Sequence, residues 1–71
     1  MKVHIEFDTD NAAFEDDPKE VNRIMVIAMS KVDRAWWDYR VLSGQDATYD
    51  GLDEHLLDRN GNSVGFVKVT P

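Results

Sequence analysis

The chain has 71 residues, 42% of them apolar, and carries 14 acidic against 8 basic side chains for a net charge of −6. That length makes one domain, residues 1–71, which buries only roughly 60% of the surface its unfolded chain exposes, and with no cysteine it has neither a disulfide framework nor a thiolate zinc site to supplement a thin core. Clustered Lys and Arg are missing and no apolar run is long enough to cross a bilayer, so the sequence argues against direct nucleic-acid or membrane binding and predicts a soluble cytosolic protein.

Lys2 to Asp8 alternates polar and apolar residues, which predicts a strand with Val3, Ile5 and Phe7 toward the core and Lys2, His4 and Glu6 toward water. His4 is read as a solvated strand residue, since no second His or Cys lies near it. Thr9 to Asp16 is a predicted connection, with Asp10 and Asn11 as turn formers and Phe14 placed to pack back on the helix that follows. The whole charge excess falls between Glu6 and Glu20, where Glu6, Asp8, Asp10, Glu15, Asp16, Asp17 and Glu20 face Lys19 alone, while the rest of the chain is balanced. Carboxylates beside a helix N-terminus are favoured by its partial positive charge. Asp8, Asp10, Glu15 and Asp16 form the acidic patch that would steer a basic partner surface. A divalent cation on Asp8, Asp10 and one of Glu15 to Asp17 is the weaker alternative, because nothing fixes the spacing of a dedicated loop.

The stretch from Asp17 to about Leu42 predicts one long amphipathic helix. Asp17 suits the cap, Pro18 the first helical position and Glu20 the third. At roughly 100° per residue, Val21, Ile24, Met25, Ala28, Val32, Ala35, Trp36 and Tyr39 share one side, with Met29 at its edge. Gly44 stands where a left-handed terminal residue is easiest, so the helix is expected to stop at Leu42 or Ser43. Residues 36–42 are rich enough in aromatic and branched side chains to be a strand instead. Val26 and Trp37 project opposite the core side, with Ser30 and Asp33 between them and Ile27 nearby. Either the following loop covers them or they form an interface, in which Trp37 would be the anchor, toward a partner or a second copy of the chain.

Ser43 to Asp53 has glycines, aspartates and no period, and is expected to be a loop anchored by Tyr49 and Leu52. Glu54 to Thr70 predicts a hairpin around Asn60-Gly61. Its turn is either a two-residue type I′ or a type I turn with Gly61 as bulge residue, and the two differ in register. Val67 and Val69 occupy one face of the last strand and Val64 and Phe66 the other, so one pair is left for a second layer. Asp58, Asn60 and Asn62 have the first spacings of a calcium loop, but Ser63 and Val69 stand where glycine and a bidentate Glu belong. The hairpin turn accounts for those residues with less.

No nucleophile elbow, phosphate loop or zinc-binding helix motif occurs, and the two histidines, His4 and His55, fall on separate strands. The expectation is a non-enzymatic protein without cofactor or metal. Its fold class should be two-layer α+β in β-α-β-β order, one long helix on a three-stranded, mainly antiparallel sheet.

Val-His-Ile-Glu-Phe-Asp-Thr-Asp-Asn-Ala-Ala-Phe-Glu-Asp at residues 3–16 and Leu-Leu-Asp-Arg-Asn-Gly-Asn-Ser-Val-Gly at residues 56–65 together resemble small, uncharacterised proteins of tailed bacteriophages and prophages. Residues 36–53 look like an insertion of this chain's own. The resemblance implies a phage accessory protein in the host bacterial cytoplasm and carries over no site residues. Combined with the acidic patch and the Val26, Ser30, Asp33 and Trp37 surface, it suggests a protein that binds and modulates a host protein. One such role is an acidic nucleic-acid mimic acting on a nucleic-acid-handling or defence factor. The alternative is a self-associating structural or assembly component, for example a homodimer.

Overall fold

Alternating side chains carry Lys2–Phe7 into an extended strand, β1, that ends at a turn in which the Asp8 carboxylate accepts from the Asp10 amide at 2.8 Å. The computed structural model describes residues 1–45 and 47–71. After β1 come a short helix α1 (Ala12–Asp16), the long helix α2 (Glu20–Gly44), and two strands, β2 (Leu52–Leu57) and β3 (Ser63–Thr70). The sheet order is β1-β3-β2 and both pairings are antiparallel. The α+β class with one long helix against a three-stranded antiparallel sheet is therefore the one expected.

Two expectations about the helices change. The predicted connection contains α1, five residues long, because the Asn11 side chain accepts from the Ala13 and Phe14 amides and caps it. The long helix begins at Glu20 rather than Pro18. Asp17 still acts at that end, its carboxylate accepting from the Lys19 amide at 2.9 Å, but Pro18 and Lys19 form a turn ahead of the helix. At the other end residues 36–42 are helical and the helix continues to Gly44, which does not take the left-handed conformation. Leu42's carbonyl instead accepts from the amides of Gln45 and Ala47 at 3.0 and 2.8 Å. The predicted loop shortens to the segment between Gly44 and Leu52, with Asp46 outside the described residues, and Leu52 and Asp53 already belong to β2.

The hairpin takes the bulged form. Gly61 has φ +85°, its amide donates to the Asp58 carbonyl at 3.0 Å, and the Asp58 amide donates to the Asn62 carbonyl at 2.8 Å. Only glycine accepts that φ freely, and a separate register shift between Leu56 and Leu57 leaves Val64 as an extra residue of β3, so that Leu56 lies opposite Gly65 and Leu57 opposite Ser63. Leu56 is consequently buried and Leu57 half exposed. Gly65 has a different reason to be glycine: a Cβ there would run into the Glu6 carbonyl and the Phe7 backbone.

The core sits between α2 and the inner sheet face, built from Phe14, Ile24, Ala28, Leu56 and Val67, with Ile5, Phe7, Ile27, Val32, Leu52 and Val64 packed against it. Helix α2 lies over β2 and β3, with β1 beyond its flank. Its buried side is consequently turned from the predicted one. Glu20 and Ile24 are buried and Ile27 and Lys31 are half-buried, whereas Val21, Met25, Met29 and Trp36, expected in or beside the core stripe, are exposed. With 25 residues α2 is about 37 Å long, more than the eight residues of β3 can span, so its last turns pass beyond the sheet. There Tyr39 stacks on Trp36 and meets Tyr49 edge-on, with ring centroids 5.8 and 6.1 Å apart.

Candidate functional site

The back of α2 carries the predicted contact surface. Val26, Ser30, Asp33 and Trp37 lie within one helical stripe and all are exposed, Val26 at 49% and Trp37 at 62%, and Val41, four residues on from Trp37, extends it. Among the described residues, the loop after α2 leaves this stripe exposed. Tyr49 turns back to Tyr39 and to a cleft beside Arg34, Ala35 and Asp38, on the side of β2. Ser30 contributes less than expected, because its hydroxyl donates to the Val26 carbonyl at 3.0 Å within the helix. Ile27 is corrected from the back of the helix to the core. What remains for a partner is an indole beside two valines and a carboxylate.

The acidic patch is a separate place. Asp8, Asp10, Glu15 and Asp16 are all exposed around α1, and α1 packs near the start of α2. Trp37 is 17 residues past Glu20, about 25 Å along the axis. The neighbouring acids expected to share its surface reduce to Asp33, since Asp38 lines the cleft on the β2 side. Two carboxylates of the acidic segment are used internally. Asp17 pairs with Arg59 at 3.3 Å, and Glu20, 1% exposed, accepts from Arg23 Nε at 2.6 Å, Arg23 Nη2 at 2.9 Å and the Arg59 amide at 2.9 Å.

This Glu20 cluster is a structural feature that the sequence pattern did not reveal as such. Hydrogen bonds from Arg23 outweigh the upward push of burial, and with the Arg59 amide they hold the Glu20 carboxyl at about 2 against its usual 4.5. Arg23 Nη2 also donates to the Leu57 carbonyl at 3.1 Å. Nearby, buried Asp58 accepts from the Asn60 and Asn62 amides at 2.9 Å each and from Asn11 Nδ2 at 3.2 Å. The Asp58 oxygens of the calcium-like spacing are thus taken up by donors of the hairpin turn and by Asn11. Among the described residues no group of three His, Asp or Glu side chains is placed to hold a metal ion.

A second exposed apolar region was not predicted. Between β1 and the near flank of α2 runs a groove of about 340 Å³ lined by Met1, Ile5, Met29, Val32, Asp33 and Trp36. On its helix side, Val32 and Trp36 are residues that periodicity placed in the core stripe, Met29 one placed at its edge, and Asp33 one placed on the opposite face. They are uncovered because β1 is an edge strand and α2 sits over the other two.

Among the described residues, no helix is long and apolar enough to cross a membrane. Comparison of the chain with protein-family models, curated proteins and solved structures gives no match.

Proposed function

We propose that this is a non-enzymatic bacteriophage accessory protein, acting in the host bacterial cytoplasm, that binds and modulates a host protein. The observation that carries the reading is the exposed Trp37, flanked by Val26 and Val41 on a helix face that the rest of the fold leaves uncovered. An aromatic anchor among smaller apolar groups is the composition that dominates binding energy at protein interfaces. The carboxylates of Asp8, Asp10, Glu15 and Asp16 supply a negative end some 25 Å away along α2, suited to steering toward a basic surface. A host factor that handles nucleic acid, or a defence complex, presents such a surface, and the carboxylates would then stand in for phosphates.

The test pairs capture from a bacterial lysate with a Trp37→Ala variant. The expected result is a host protein retained by the wild type and bound at least about 30-fold more weakly by the variant, the loss associated with an interface hot spot, with an unchanged circular dichroism spectrum. Equal binding by both would remove Trp37 from the site. A second reading, a self-associating structural or assembly component, is favoured by another surface, the open edge of β1.

A further inference from the structure

We infer that the β1 edge and the groove beside it form a two-fold interface with a second copy of this chain, the two β1 strands pairing antiparallel about Ile5. The inference supplies a surface for self-association that shares Asp33 with the host-binding face but not Trp37.

The backbone comes first. Along an antiparallel strand, residues alternate in which neighbour their amides and carbonyls face. The Asp8 amide donates to the Val64 carbonyl at 2.8 Å, so the even-numbered residues of β1 bond β3. The N–H and C=O groups of Val3, Ile5 and Phe7 point to the open side. Among the described residues, none of them hydrogen-bonds another segment there. β1 has no proline and no inward-pointing charge, its pairing with β3 has no bulge, and its charged residues, Lys2 and Glu6, lie on the outward face. The other edge strand, β2, is interrupted by the register shift at Leu56/Leu57, and its inward Glu54 is paired with Lys31 at 3.2 Å.

Charge then selects the partner. The outward residues of β1 and its continuation are Lys2 and His4 at one end and Glu6 and Asp8 at the other. Such a strand is complementary to itself when reversed. Placing Ile5 opposite Ile5 of the second copy sets Lys2 against Asp8 and His4 against Glu6, each twice. It also pairs Val3 with Phe7 on the inner face and uses every free backbone group of the three odd residues. Centring on His4 would set His4 against His4 and Phe7 against Met1, outside the strand. Parallel pairing in register would set like charges side by side, which destabilises a sheet.

The groove completes the fit. A two-fold axis normal to the sheet keeps both helices on the same face. Met29 and Trp36 of each copy then look across two adjacent β1 strands, a gap on the order of 10 Å wide that long flexible and aromatic side chains can fill. Met1 and Ile5 form its floor.

Sedimentation at several concentrations should show a monomer–dimer equilibrium. Because the chain has no cysteine, single substitutions read the register. Ile5→Cys should oxidise to a covalent dimer, since bonded antiparallel partners have Cα atoms about 5.5 Å apart. His4→Cys should not, its two copies being about 8 Å apart. His4→Glu, on the solvent face, should weaken the dimer about fivefold, and His4→Glu with Glu6→Lys should restore it. A dimer lost with Trp37→Ala but indifferent to His4→Glu overturns this surface while keeping self-association. Preferential crosslinking through position 4 overturns the register. A monomer at every concentration overturns both the interface and the self-association reading.

Discussion

Glu20 and Gly65 show how much of this small fold rests on individual positions. Glu20 ties the first turn of α2 to the hairpin through Arg23 and the Arg59 amide. Its carboxyl is held at about 2 rather than 4.5, so the ionised group favours the folded state. That contribution is complete above about pH 4.5 and is lost as pH falls through about 2. Thermal unfolding followed from pH 6 to about 2 should therefore show a falling midpoint across this window. Glu20→Gln should lower the midpoint at neutral pH and flatten the fall. Gly65 tolerates no side chain because β1 passes against it, and Gly65→Ala should cost on the order of 1 to 3 kcal/mol in denaturant unfolding. An unchanged midpoint would mean that β1 can move away from β3 at little cost.

At the scale of the element, α2 is held unequally along its length. Its first half is fixed by Ile24 and Ala28 in the core and by the Glu20 cluster. Beyond Ala35, its contacts off the sheet include Tyr39 on Tyr49. Burial, with Asp38 adding to it, raises the pKa of the Tyr49 phenol, in keeping with a ring packed against the helix. Tyr49→Ala should accelerate amide exchange over the last turns of α2 while leaving residues 24–35 protected. Uniform acceleration along the helix would show that the aromatic contact supports the whole rod. The stripe of Val26 and Trp37 spans both halves, so a partner docking there would also fasten the looser end.

For the whole molecule, what could be read from the sequence depended on whether the signal was local. The alternation of β1 and the Asn60-Gly61 turn are local patterns, and each produced the expected element. The five residues of α1 gave no usable period, and their cap, Asn11, looks like any turn former. The rotation of α2 had a different cause. Glu20 and Lys31 occupy its inner side because Arg23 and Glu54 neutralise them, so apolar periodicity alone pointed too far toward Met25 and Trp36. Trp37 was legible as an apolar residue out of place, and it is exposed. The β1 groove was not legible, since it depends on strand order, which sets which strand α2 leaves uncovered.

The antiparallel ladder that places Lys2 opposite Thr70 sets the start of β1 beside the end of β3. A bridge of a few residues could join them at small entropic expense, and the chain could then be opened in the exposed stretch between Tyr49 and Gly51. Circular permutation of this kind would keep the α2 and β3 contacts while giving β1 a covalent link to its neighbour. The arrangement of segments along the chain is therefore separable from their arrangement in space.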